Sequence, residues 1–547
     1  MTGPSVASAI LELLGRHGIS RAFGVPGVHN LAFWDTNSSD VPRIVGVRHE
    51  QSAGYAADGL YRASGQPTLA LLTSGPGAAN VLGAFGEAFV SGSPVIAIAS
   101  EPSHALRSSA GPRGLLHEMA DQGAMFAAFG APSRTARTRQ EAMASTVLAL
   151  RDAWGPPPTA SYVGIPSDVL GERWTAAIPH IPRLPAPHVD AHRVGQLAEL
   201  IAAASRVLLW LGGGVVAAGV EVAAASLADR LGAPVVTSFA GRGLLASNPL
   251  LVNAPVHEPE VSSVVGEADL LLILGSSFDG MNTMNWRLPL PLHRAAITLG
   301  ATIEQTIDLD VLISADLGPA LVALIEALDD LGVRKRPPWV DVAAIRPGII
   351  ERLRRDPRTA EAISLVNAVD AHWPTDGVVV CDMAVAGYWY GGYSDQPRAR
   401  RLQYPVGWGT LGYALPAAIG PASIGLPTLA VCGDGGPMFA LGELATYAQE
   451  SLPITLLVVD DGGYGMLRFD QEAFGHPVRG VDLLTPEWHS LGAAFGITVE
   501  TVADASGIGP ALASAAAANR CGEPRIIVWP QRLFPPRTTS PRWAEAA

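Results

Sequence analysis

Short apolar runs closed by glycine, serine or aspartate recur in three separate stretches of this chain, and that pattern leaves few folds open. The first stretch holds Thr68–Leu72 and Val95–Ala99, the middle one RVLLWLGGGV, PVVTSF and ADLLLILGSSFD, and the last VVVCD, TLAVCGDGG, ITLLVVDDGG and RIIVWP. Strands apolar along their whole length are buried on both faces, and helical patterns between them make the crossovers of a parallel sheet. Two breaks divide the chain: the proline-dense IPHIPRLPAPH, with Pro179, Pro182, Pro185 and Pro187, and RKRPPWVD from Arg334 to Asp341. The expected fold class is α/β, with three doubly wound parallel-sheet domains over residues 1–170, 190–333 and 355–535.

Composition narrows the function classes. With 48% hydrophobic and 16% charged residues, the chain has large cores to bury and a subunit interface to cover. A net charge of −13 gives no nucleic-acid surface. Cys381, Cys432 and Cys521 lack metal or redox spacing and read as buried small hydrophobes. MTGPSVASAILELLGRHG reads as an amphipathic helix with Val6, Ile10, Leu11 and Leu14 near one face, not as a targeting signal. No run is apolar enough to span a bilayer, so the expectation is a soluble cytoplasmic protein.

Chemistry concentrates at two strand ends. Gly433-Asp434-Gly435 and Asp460-Asp461-Gly462-Gly463 each follow an apolar run, and the 24 residues between Gly435 and Asp460 hold a helix, MFALGELATYAQE, and a return strand. Adjacent strand ends would then offer carboxylates together, which suits a hard divalent cation with a phosphate partner. Gly435 and Gly436 let backbone N–H groups approach phosphate oxygens, and the positive end of the following helix adds to them. Glu50 ends the run RIVGV and opens a small-residue helix in RHEQSAGYAADGLYRASGQP, where its plainest role is a helix cap.

These segments together resemble the thiamin-diphosphate enzymes. The resemblance rests on the spaced acidic pairs and on RHEQSAGYAADGLYR, with FGVPGVHN, TSGPGAAN and GWGTLGYALPAAIG in family order. It implies pyrimidine-binding, central and diphosphate-binding domains along the chain. It also implies thiamin diphosphate and Mg²⁺, the ion held by Asp434, Asp461 and the carbonyl of Gly463. Asp-Asp stands where the family usually has Asn-Asn, which keeps an oxygen ligand but adds negative charge facing a diphosphate. Pro26, Asn80, Gly409, Gly435, Gly436 and Tyr464 are implied beside the cofactor, and Leu411 as the wedge between its rings. Glu50 would hydrogen-bond N1′ of the aminopyrimidine and start the proton exchange that activates C2. The family builds each site across a subunit interface, which implies a homodimer or homotetramer.

Within the family, LHEMADQGAM, Leu116 to Met125, is similar to acetolactate-synthase-like enzymes and, with the PGVH turn, most of all to 5-guanidino-2-oxopentanoate decarboxylases. His29, His117 and Gln122 are the candidates for lining the site, since a His beside a reacting carbonyl moves a proton near neutral pH. Val28 stands where pyruvate decarboxylases carry Asp, and Val385 and Ala386 where acetolactate synthases place Gln and His. The implied activity is decarboxylation of a 2-oxo acid, with or without ligation of the fragment to a carbonyl acceptor. The alternatives are a simple decarboxylase and a catalytically silent member. Acetolactate synthases hold FAD in the central domain; Gly212-Gly213-Gly214 would permit a phosphate contact, but a lone glycine run is weak support and FAD is not expected.

Overall fold

The computed structural model describes residues 3–539 apart from 37–38, 108–110, 112, 184, 186 and 300. Seventeen strands form three sheets among these residues, and every pairing between the strands is parallel. The first sheet contains β1 (Arg21–Gly24), β2 (Arg43–Gly46), β3 (Thr68–Leu72), β4 (Val95–Glu101), β5 (Ser133–Thr135) and β6 (Ser161–Pro166), in the order β2-β1-β3-β4-β6-β5. The second contains β7 (Val207–Leu211), β8 (Val235–Thr237), β9 (Leu270–Leu274), β10 (His293–Ile297) and β11 (Val311–Ile313), in the order β11-β10-β9-β7-β8. The third contains β12 (Val378–Cys381), β13 (Leu402–Gln403), β14 (Thr428–Gly433), β15 (Ile454–Asp460), β16 (Thr498–Thr501) and β17 (Arg525–Pro530), in the order β13-β12-β14-β15-β17-β16. The chain is thus a three-sheet α/β protein, as its apolar runs predict.

The first and third sheets share one topology. In each the chain runs outward from its first strand to its second, then returns to add the third strand on the other side. That reversal opens a crevice beyond the carboxyl ends of the two strands it separates, where open α/β sheets take ligands. In the first sheet the crevice lies after β1 and β3, at Val25–Asn30 and Thr73–Gly77; in the third it lies after β12 and β14, at Asp382 and Asp434.

Small residues bind these two units face to face. The Glu50–Ser64 helix buries Ser52, Ala53, Ala56, Ala57 and Gly59, and the Ala414–Ala422 helix is buried throughout. A Cβ on Gly59 would strike the Ala417 carbonyl, and one on Gly420 the Ala56 carbonyl, so the helices meet backbone to backbone. A buried ionic cluster pins the contact: Arg62 donates to Asp58 and Glu87 at 2.8 and 2.9 Å, and Tyr413 Oη donates to Asp58 at 2.6 Å. The middle sheet is tied on by Glu258, which accepts from Tyr393 Oη at 2.5 Å and from Arg352 at 2.6 Å.

Two expectations need correction. MFALGELATYAQE is not one helix: 3₁₀ turns at Pro437–Phe439 and Leu441–Glu443 precede a short α-helix at Leu444–Gln449. Ala440, at φ −142°, breaks the run, and the buried Glu443 carboxylate reaches back to the Arg48 N–H at 2.9 Å. No long helix therefore points its positive end at Gly435. Cys381 and Cys432 are buried, but Cys521 is exposed, in the turn after the Ala505–Asn519 helix. The segment Arg334–Asp341 lies between helices Leu317–Asp330 and Ile345–Arg355 and is held to the middle unit, where Arg336 donates to the Ala204 carbonyl at 2.6 Å and Trp339 Nε1 to the Val207 carbonyl at 2.9 Å. Among the described residues no helix is long and apolar enough to cross a membrane.

Candidate active site

The register of β14 on β15 pairs Gly433 with Val459, so the acidic turns after the two strands lie side by side. The two aspartates of the second turn divide the work. Asp460 accepts from its own turn at Gly462 N (3.2 Å) and from Trp488 Nε1 (2.7 Å), which occupies both its oxygens. Asp461 faces a cleft instead, and its N–H donates to Asp434 Oδ1 at 3.4 Å. Arg468 holds this turn by donating to the carbonyls of Asp461 and Gly462 at 3.2 and 3.0 Å and to Asp482 Oδ1 at 2.8 Å. Gly463 has φ +151°, and a Cβ there would run into the Val481 carbonyl, so the turn needs glycine.

Burial, with Asp460 and Asp461 as neighbours, pushes the Asp434 carboxyl up to about 7. Asp461 is raised too, chiefly by burial, with Arg468 opposing. Asp434 Oδ2 is buried and has no hydrogen-bond partner among the described residues. Crowded carboxylates with an orphaned oxygen form a site short of positive charge, and a hard divalent cation fits that deficit.

The cleft beside them holds about 720 Å³ of empty space, part of it open to solvent. Leu411, Gly435, Gly436, Asp461, Gly463 and Tyr464 all line it; Asp434 is buried beside it and Gly409 is exposed outside that lining. Gly409 and Gly412, at φ +75° and +74°, turn the backbone so that Leu411 stands out, 40% exposed. Sequence reasoning missed Asp382, which ends the β12 run as Asp434 follows β14. Its Oδ1 accepts the N–H groups of Met383, Gly412 and Tyr413 at 2.8, 3.0 and 3.3 Å, fixing the loop that carries Leu411. Burial raises this carboxyl to about 6 in spite of those donors. Gly436 must be glycine because a Cβ would press on Asp382 Oδ2.

None of the residues lining the cleft precedes Asp382. The remaining predicted residues gather at the crevice of the first sheet. Glu50, 8% exposed, accepts from Asn80 Nδ2 at 3.0 Å, and a Cβ on Gly77 would come within 3.1 Å of its Oε1. Pro26 lies in the turn after β1, exposed, three residues before His29. His29 Nδ1 lies 2.6 Å from Ser74 Oγ, and Ser74 Oγ lies 3.0 Å from His117 Nδ1. Burial, then the neighbouring His117, lowers the His29 pKa. Gln122 departs from its expected role. It is buried, its Oε1 accepts from Gly75 N at 2.6 Å, and its Nε2 donates to the Ser100 carbonyl and Tyr162 Oη at 3.0 and 2.7 Å. Its amide is spent on shaping the turn at Gly75, not on lining a site.

The glycines at 212–214 serve packing. A Cβ on Gly212 would strike the Gly275 carbonyl, which also accepts from Gly214 N at 2.8 Å.

A parallel-sheet pair with an acidic cradle on one unit and a buried glutamate on the other defines a cofactor-dependent class. Residues 4–125 match the N-terminal, 194–324 the central and 382–528 the C-terminal domain of thiamine pyrophosphate enzymes, and the chain belongs to that family. Among its relatives, a probable 2-ketoarginine decarboxylase of Pseudomonas aeruginosa is 34% identical over 515 residues, 91% of this chain and 90% of that one. A probable acetolactate synthase large subunit of Methanocaldococcus jannaschii is 26% identical over 556 residues, 97% of this chain and 93% of the other. An acetolactate synthase of Mycobacterium bovis is 30% identical over 490 residues, 86% and 78% of the two chains. A solved structure from Mycobacterium smegmatis, described as a candidate thiamin diphosphate-dependent enzyme, matches the fold with TM-score 0.80 at 24% identity, covering 97% of this chain and 99% of that one.

Proposed function

We propose that this protein decarboxylates a 2-oxo acid on thiamin diphosphate held with Mg²⁺, the fragment leaving as an aldehyde or joining a carbonyl acceptor. The observation that carries this reading is the Asp434/Asp461 pair with its orphaned oxygen at the switch point of the third sheet. Asp434, Asp461 and the Gly463 carbonyl would hold the ion, and Gly435 and Gly436 would let a diphosphate approach the backbone. The cofactor, when bound, supplies the electron sink for loss of CO₂. The chain supplies the rest. Glu50, oriented by Asn80, holds and returns one proton at the pyrimidine end. Leu411, which lines the cleft, would be the side chain that holds the cofactor's rings in place. His29 and His117 move protons beside the reacting carbonyl.

These groups lie on two units of the chain, and a second copy would bring them together. Val28 and Leu116, beside the two histidines, are 81% and 68% exposed, and Phe439 and Leu467 at the cleft are 49% and 48% exposed. Apolar residues left bare on both halves support a homodimer or homotetramer in which one copy's first unit covers the other's cleft.

The test is incubation with thiamin diphosphate, Mg²⁺ and a panel of 2-oxo acids that includes 5-guanidino-2-oxopentanoate, with and without carbonyl acceptors. CO₂ release is expected, with aldehyde and ligation products telling the two outcomes apart; no CO₂ from any acid overturns the reading.

A further inference from the structure

Ser74 is fully buried at the end of β3, and its hydroxyl is flanked by two imidazoles, 2.6 Å from His29 Nδ1 and 3.0 Å from His117 Nδ1. The two rings meet edge to face with centroids 5.3 Å apart. The surroundings build this contact. Gly75, at φ +59°, lets His117 close in, since a Cβ there would sit 2.7 Å from His117 Cβ. His117 itself adopts φ +64°, a conformation held in a non-glycine residue only where neighbours impose it. Asn30 fixes the turn that carries His29, accepting from Gly27 N at 2.7 Å and donating to the Val25 carbonyl at 3.0 Å.

A hydroxyl has one hydrogen and two lone pairs. Between two Nδ1 atoms it is best satisfied by donating to one and accepting N–H from the other, so two neutral rings are held in opposite tautomers. We infer that His29, Ser74 and His117 form a proton relay that feeds the reacting carbon and favours release of an aldehyde.

The step balances. A proton is taken up at Nε2 of the ring whose Nδ1–H bonds to Ser74. The Nδ1 hydrogen of that ring moves to Ser74 Oγ, the hydrogen of Ser74 passes to Nδ1 of the other ring, and that ring gives up its Nε2 hydrogen. One proton enters, one leaves, and no group changes charge. Both rings are partly exposed, so exchange with water resets the tautomers. Release as aldehyde replaces CO₂ with a proton at the acyl carbon, whereas ligation places an acceptor carbon there. Other charges nearby are engaged elsewhere. Glu118 accepts from the Arg113 and Leu115 N–H groups at 2.7 and 3.0 Å, and Glu50 accepts from Asn80.

The relay rests on the proposed reaction, and the test separates the two. Solid-state ¹⁵N NMR of the histidine-labelled, cofactor-loaded protein reads the tautomers without substrate, with assignment by His29→Gln and His117→Gln. Opposite tautomers are expected in the wild type and a shared tautomer in Ser74→Ala. Aldehyde formation in Ser74→Ala should fall roughly 10²-fold, the low end of what a positioned proton donor contributes, while the share of ligation product rises. Ser74→Thr, which keeps the hydroxyl, should restore most of the rate. Should Ser74→Ala not fold, Ser74→Cys replaces it, because a thiol is a weak donor. Identical tautomers in the wild type, or unchanged aldehyde formation in a folded Ser74→Ala protein, overturn the relay. Opposite tautomers in a wild type that releases no CO₂ overturn the reaction and still support the hydroxyl link.

Discussion

Replacing Glu50 by glutamine tests whether its carboxyl is chemical or architectural, because the structure separates those roles. Glu50 is the first residue of its helix, yet the cap is His49, whose Nδ1 accepts from Gln51 N at 3.2 Å. The Glu50 side chain accepts from Asn80 Nδ2 instead, and the carbonyl oxygen of a glutamine can accept the same bond. Exchanging a charged acceptor for a neutral one costs about 1 kcal/mol or less. The fold and most of the cofactor affinity should therefore survive Glu50→Gln. The proton switch at N1′ should not, and a loss of roughly 10²–10⁴-fold in C2 hydrogen exchange corresponds to about 3–5 kcal/mol of barrier. The chemical effect exceeds the structural one several-fold, so one measurement separates them. Deuterium exchange at C2 of the bound cofactor, followed by NMR after acid quench, gives the rate. Wild-type exchange in a folded, cofactor-loaded Glu50→Gln protein would refute the assignment of Glu50 to the chemistry.

Thiamin diphosphate should bind only weakly in EDTA and tightly with Mg²⁺; calorimetry should show Asp434→Ala losing most of that binding and Asp461→Asn keeping it. Metal affinity should depend on pH in one direction. Burial raises the Asp434 carboxyl to about 7, so below that pH an ion must displace its proton. Affinity should then climb roughly tenfold per unit as pH rises toward 7 and level off above it, and a flat titration would show that Asp434 is not a ligand. The same shift has the opposite sign for the metal-free fold. The folded state binds the proton more tightly than the unfolded chain, so metal-free stability should fall as pH rises from about 4 to about 7, which thermal melts in EDTA can check. Gly463→Ala should unsettle the Asp461 turn by about 2–3 kcal/mol through strain and the clash with the Val481 carbonyl; an unchanged melting temperature would show that the turn tolerates a side chain.

The strand ends were legible in the sequence because their signals are local. An apolar run followed by glycine and aspartate specifies a buried strand and its turn from adjacent residues, and the spacing to Asp460 leaves room for one crossover. What escaped depends on partners far along the chain. Gln122 reads as a site residue from its local motif, but Gly75 and Tyr162, distant in sequence, occupy its amide. MFALGELATYAQE reads as one helix, but Glu443 accepts from the backbone N–H of Arg48, in the loop after β2. Arg468, which no local motif singles out, is buried beneath the acidic turn. Ser74 is one more polar turn residue until His29 and His117 arrive from two other loops. The same limit bears on the assembly. Two sheets of identical topology each leave open the crevice where their chain reverses, and the cleft of the third is lined only from Asp382 onward. The buried contact between the Glu50–Ser64 and Ala414–Ala422 helices spends the small-residue faces of one chain on each other, not on closing either crevice. A chain that joins its two units this way leaves both crevices open, and in the proposed assembly a second copy would bring the complementary end to each.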